Sequence, residues 1–347
     1  MTQAAQDLTG QPTGHAFAPQ RLAPWIRVFG LCSAVLVAPF LLNNYLIYWH
    51  DWPGLSALFA HLGAADRLEI GAVWRGWVQV LLYLTPIVYV AVWVLRTPDR
   101  SLNSDSERLS AVSLYIVRAA FWAVLLVGLT DAVISFMRVE GFLVTLLGTD
   151  VANMLGRSTF RGTYIHYPLV GISMVIAYFS RALGFIWLAF MIVMAEFMIV
   201  IFRFVFSYEQ AFMSDIVRFW YAALFLFASA YTLMEGAHVR VDILYTRFTA
   251  KGKAWTNAVG SMFLGVPLCW VILTRGMAGK ANLINAPLLS FETTQTGYGM
   301  FVKYLMAGFL VVYAVSMLVQ FAGYFLSSAG TLIGEPEPLH EDHPAVT

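Results

Sequence analysis

Seven long apolar stretches, divided by shorter polar ones, run along the chain. A hydrocarbon core of about 30 Å needs roughly 20 apolar residues in a helix. Backbone amides in lipid must bond within their own segment, so elements of this length cross as helices. The pattern predicts spans at residues 26–48, 77–95, 114–136, 183–204, 216–234, 255–273 and 302–326. Many of their ends carry Trp or Tyr, among them Trp25, Trp49, Trp77, Trp93, Trp255 and Tyr324, as expected of rings that favour the membrane–water interface. Pro86 and Pro267 read as isolated kinks within spans.

One stretch breaks the pattern. Residues 168–206 are almost uninterruptedly apolar, and one straight helix of that length would run about 58 Å, nearly twice the hydrocarbon thickness. Arg181 and Gly184 interrupt it. The expectation is a surface segment near 168–180 followed by a span from about 183. Residues 141–155 mix apolar clusters with Thr145, Asp150 and Asn153 and read as an interfacial helix. The fold class expected is an all-α integral membrane protein with about seven transmembrane helices and interfacial amphipathic helices.

Orientation follows from the basic residues. The loop after the fifth span holds Arg240, Arg247, Lys251 and Lys253 against Asp242, which makes it cytoplasmic by the positive-inside bias. Seven spans then leave the N-terminus outside, together with the four arginines of residues 96–118. An eighth crossing hidden in 168–206 would bring the N-terminus inside. The acidic, proline-rich segment from residue 328 to 347 is expected to be disordered.

Composition agrees with the pattern. The chain of 347 residues is 59% hydrophobic and 12% charged, with a mean hydropathy of +0.70; soluble domains carry about 25% charged residues. A net charge of +1 gives no basis for a nucleic-acid partner. Cys32 and Cys269 lie within apolar segments and read as small packing residues. The N-terminal residues are polar and lack the pattern of a cleaved signal peptide, so the first span is expected to remain as an anchor.

Catalytic and cofactor chemistry finds little support. The seven histidines are scattered. His340 and His343 have ligand-like spacing but fall in the proline-rich tail. Residues 276–280 imitate part of a phosphate loop with the wrong spacing and no preceding strand. No cofactor, metal or enzyme activity is expected. Charges inside spans are the usual pointers to function, and three stand out: Arg118 and Asp131 in the third span and Glu196 in the fourth. They could line an ion or proton path, or be paired within a bundle. Thirteen residues of helix put Arg118 and Asp131 on roughly opposite faces, so each needs a different neighbour.

The stretch from Arg203 to Leu244 carries a recognisable pattern. Arg203-Phe204-Val205-Phe206 closes one span, Ser214-Asp215-Ile216-Val217-Arg218-Phe219 opens the next, and Glu235-Gly236-Ala237-His238-Val239-Arg240-Val241-Asp242 follows it. This order and spacing resembles the DctQ-type small membrane subunit of tripartite ATP-independent periplasmic (TRAP) transporters. Phe212 and a single Asp215 stand where the family often has Trp and two acidic residues. The resemblance marks Arg203, Asp215, Arg218, Glu235, His238, Arg240 and Asp242 as interface candidates. It implies a four-helix family core at 166–327 with a preceding surface helix, an extension at 25–165 with three spans, a polar segment at 1–24 and the tail at 328–347. It further implies a bacterial inner-membrane scaffold without a substrate site. The implied partners are a large DctM-type permease subunit that carries sodium and substrate, a periplasmic DctP-type binding protein, and membrane lipid.

The residues also have readings of their own. His238, Arg240 and Asp242 alternate with valines, which in extended chain puts polar groups on one side. Asp215 could cap the amides of the helix it opens, and Arg203 could reach headgroups. Two functions therefore stand: a non-transporting scaffold subunit, or an autonomous channel or secondary transporter using Asp131 and Glu196.

Overall fold

The computed structural model describes residues 22–63, 69–181, 184–209, 211–234, 245–294 and 299–335, and among these the regular structure is all helical. Helices α1 (Ala23–Val35) and α2 (Val37–His50) form one bent column. Pro39 has no amide to give the carbonyl of Val35, and the helix yields at Leu36. The short α3 (Gly54–Leu62) leads to α4 (Ile70–Arg96). Then comes α5 (Leu102–Val139), whose 38 residues make it about 57 Å long. Ser101 caps its start by accepting a hydrogen bond from the amide of Ser104.

Helix α6 (Phe142–Leu155) begins after Gly141, at φ +76°, and breaks at Gly148, at φ +79°. Its residues are mostly exposed. Beyond it, α7 (Ser158–Arg161) runs through a π turn at Gly162–His166 into α8 (Tyr167–Phe179). The remaining helices are α9 (Phe185–Val205), α10 (Ala211–Met234), α11 (Ala250–Gly260), α12 (Val266–Gly276), α13 (Asn285–Ser290) and α14 (Lys303–Ile333). A second π turn, Ser261–Gly265, joins α11 to α12. Both π turns end just ahead of a proline, Pro168 and Pro267. The widened turn accommodates the missing amide without ending the helix.

Among the described residues seven columns are long and apolar enough to cross a membrane, as the hydropathy pattern predicts: Ala23–His50, Ile70–Arg96, Leu102–Val139, Phe185–Val205, Phe212–Met234, Ala250–Gly276 and Lys303–Ile333. The bundle is organised around α5, which packs against α14, α8 and α10 and touches α1 and α9. Small residues permit the closest approaches. Gly128 admits the indole of Trp220, which donates to the carbonyl of Val124 at 3.4 Å, and a Cβ at Gly128 would lie 2.5 Å from the indole nitrogen. Gly162 similarly admits the ring of Phe291.

The surface segment expected near 168–180 is instead a helix packed along α5. His166 meets Asp131, and the hydroxyl of Tyr115 donates to the carbonyl of Met174, so α8 runs antiparallel to α5. Ser173 and Ala177 are its buried residues. The chain turns between α8 and α9 at Ser180, which is extended, and Gly184, which is left-handed at φ +75°. The break thus falls where Arg181 and Gly184 interrupt the apolar run, and the difference lies in the preceding residues, which pack into the bundle. With the α7–α8 column counted, eight columns run lengthwise among the described residues. Residues near both ends of the described chain, Arg27 and Glu335, lie at the N-terminal end of α5.

Candidate functional site

A carboxylate within a span needs partners. Asp131, in the last third of α5, is fully buried and has three. Its Oδ1 lies 2.8 Å from Nη1 of Arg161 and 3.1 Å from Nε2 of His166, while its Oδ2 accepts the backbone N–H of Phe301 at 2.7 Å. Arg161 and His166 come from α7 and the π turn, five residues apart, and both are fully buried. Arg161 also donates from Nε to the carbonyl of Leu155 and from Nη1 to Ser135 Oγ. The other ring nitrogen of His166 pairs with the hydroxyl of Tyr304 at 2.8 Å, and the two rings stack.

This cluster fixes the segment that enters α14. The amide of Met300 donates to Oδ2 of Asp215 at 3.0 Å, next to the bond from Phe301 to Asp131. Arg138 Nη2 donates to the carbonyl of Gly299 at 2.8 Å. The guanidinium groups of Arg161 and Arg138 lie 4.3 and 4.5 Å from the centre of the Phe301 ring, at cation–π distance. The arrangement is largely buried and bonded internally, with Arg161 Nη2 and Arg138 Nε left without hydrogen-bond partners. It can hold α5, the α7–α8 column, α10 and α14 in register. Among the described residues no group of three or more His, Cys, Asp or Glu side chains is placed to hold a metal ion.

A second polar node lies at the other end of α5. Arg27 of α1 pairs with Asp105 at 2.8 Å and donates to the carbonyl and hydroxyl of Thr97. Arg100 reaches the other oxygen of Asp105 at 2.9 Å. Glu335, just past α14, accepts from the amides of Leu102 and Asn103 and so caps α5. Each node ties α5 to α14 or to residues flanking it.

The predicted residues fall in different places. Asp131 and Asp215 converge on the segment before α14, with Asp215 6% exposed. Asp215 does not cap its own helix: α10 starts four residues earlier, at Ala211, so its carboxylate lies beyond the first turn and serves Met300 instead. Arg203 closes α9, exposed, 3.6 Å from Glu209. Arg218 is exposed on α10 and Glu196 is exposed on α9. Arg118 is half-buried, close enough to Arg181 for mutual repulsion. Glu235, His238, Arg240 and Asp242 lie outside the described residues.

Asp131 and Glu196, which the channel reading brings together, do not converge: one is closed inside the bundle and the other lies on its outer face. An apolar groove of about 280 Å³ between α5, α8, α10 and α14, walled by Ala119, Ala123, Val170 and Phe309, includes neither. Sequence reasoning missed Arg161 and His166 as partners of Asp131. Their five-residue spacing falls on one helical face only when the backbone widens into a π turn.

Residues 190–329 match the family model described as "Tripartite ATP-independent periplasmic transporters, DctQ component". No curated protein and no solved structure matches the chain. The matched region takes in most of α9 and all of α10, α11, α12 and α13, and ends within α14. About 190 residues, including α5 and both partners of Asp131 on α7 and the π turn, precede it.

Proposed function

We infer, from the premise that this chain is an enlarged DctQ-type protein of the TRAP transporters with its family domain at residues 190–329, that it acts as a scaffold for a larger permease. The family is a transporter component, not an enzyme family, and the chain is a multi-pass membrane protein of a kind consistent with a bacterial inner membrane. The observation that carries the scaffold reading is the internal bonding of its buried polar groups. Asp131, the deepest carboxylate in the third span, is engaged by Arg161, His166 and the amide of Phe301, bonds that join helices to one another.

In this reading the large DctM-type subunit carries sodium and an organic acid or related solute, and a DctP-type periplasmic binding protein delivers it. The present chain stabilises the permease and helps dock the binding protein. The end of the bundle bearing Arg96, Arg100, Arg181, Arg247, Lys251 and Lys253 faces the cytoplasm, following the positive-inside bias. Eight lengthwise columns bring the first described residues to that same side.

Reconstitution tests the reading. Vesicles holding this chain alone take up no solute, and those holding it with its permease and binding protein do so down a sodium gradient. Uptake by the chain alone would overturn the scaffold role.

A further inference from the structure

Helix α9 is the least covered span. Of its 21 residues only Leu188 is buried, and one side packs against α10 and lightly against α5. Trp187, Phe190, Val193, Phe197, Val200 and Phe204 are exposed. Exposed apolar residues alone would suit lipid. Glu196 does not: it is exposed on this helix, at the twelfth of 21 positions, about 14–16 Å from either end.

The neighbours one turn away are Ile192, Val193, Ile199 and Val200, none of which has a side chain that can donate a hydrogen bond. The cation nearest in sequence on the same helix, Arg203, is seven residues on, about 10 Å along the axis, and is turned to Glu209. A glutamate side chain is too short to reach the headgroups from mid-helix. An ionisable group left facing hydrocarbon is costly, and such groups normally face a protein seam or a water-filled cavity. Polar side chains at helix seams also add interhelical hydrogen bonds.

We propose that the Glu196 side of α9 is the seat of a transmembrane helix of the large permease subunit, and that this helix brings an arginine or lysine to Glu196 at mid-bilayer depth. The proposal rests on the small-subunit reading above and adds to it the face and the recognition chemistry. Charge complementarity selects the occupant. A lipid chain offers Glu196 nothing, and a second copy of α9 would bring another carboxylate.

The test is co-expression with the permease and capture through a tag on this chain. Glu196→Lys lowers the co-purified permease by about tenfold or more, Glu196→Gln lowers it less, and Glu196→Asp retains most of it. The isolated variants elute as the parent chain does. A photo-crosslinking residue at Val193 or Val200, with Glu196 intact, forms adducts with the permease, which decides the matter even if Glu196→Lys fails to fold. Exchanging charges between Glu196 and the crosslinked cation restores capture. Full capture by a well-folded Glu196→Lys chain overturns the proposal, as do crosslinks to lipid or to a second copy only. If the parent chain captures no permease at all, the small-subunit reading itself has failed.

Discussion

Asp131 accepts the backbone N–H of Phe301 at 2.7 Å, so a helix that precedes the family domain is bonded directly to the segment that opens its last helix. The same carboxylate neutralises Arg161. Removing only its charge, by Asp131→Asn, leaves a guanidinium buried without a counter-ion, a change that costs about 3–5 kcal/mol in buried pairs. A marked fall in the unfolding temperature in detergent is expected. Arg161→Met added to Asp131→Asn should restore part of the loss, because the pair then goes together. Strictly additive effects would show that the two groups are not coupled.

Gly128 and Trp220 make the second prediction. A methyl at Gly128 would lie 2.5 Å from the indole nitrogen, and Trp220 is 2% exposed in a packed interior. Gly128→Ala must displace the indole or part α5 from α10, at about 1–3 kcal/mol. The fluorescence of Trp220, isolated by difference from a Trp220→Phe chain, should shift to the red. Trp220→Phe in the Gly128→Ala background should recover stability by vacating that space.

Two ion pairs of similar length should behave differently. Arg27–Asp105 and Lys280–Asp51 both measure 2.8 Å, but the first is buried and the second exposed. Arg27→Met is expected to destabilise measurably, since it removes one of the two cations on the buried Asp105, leaving Arg100, and takes the guanidinium donors from Thr97. Lys280→Met should leave the unfolding temperature within error. The hydrogen bond from Lys280, and then its charge, hold the Asp51 carboxyl below its usual range. With the folded value below the unfolded one, any stability from this pair is present above the ordinary aspartate range and is lost as pH falls through the lowered value. A difference between parent and Lys280→Met chains that widened with acid would contradict this sign.

The spans were legible because the apolar stretches are near bilayer length; their helices run on into the polar flanks, so that α4 begins at Ile70 rather than 77, α5 at Leu102 rather than 114, and α14 ends at Ile333 rather than 326. The α7–α8 column was harder to read. Arg161 and His166 dilute its apolar character, and only the fold reveals that Asp131 absorbs both. The charged residues of the third and fourth spans were equally visible, yet their fates differ for a reason no local pattern holds. Asp131 faces α7 and α14, whereas Glu196 faces away from the bundle. Asp215 was visible as a residue opening a helix, but its bond to Met300 joins positions 85 apart.

The last prediction concerns the division between extension and family domain. Packing on α5 covers faces of α10 and α14, with Phe121, Val124 and Val127 buried in the shared core. Ser113 and Ser106 donate to the carbonyls of Ser316 and Gly323, so the contact extends well along α14. A chain beginning at Gly184 would therefore expose those faces to detergent or lipid and leave the amide of Phe301 and the hydroxyl of Tyr304 without their partners. It is expected to be produced poorly and to elute as aggregate, whereas a chain beginning at Leu22 elutes as the parent does. Supplying residues 22–181 as a separate chain should rescue the shorter one, because the bonds that join the two parts are not covalent. A monodisperse, heat-stable product from Gly184 onward would show that the family domain stands without α5 and that the extension is an appendage.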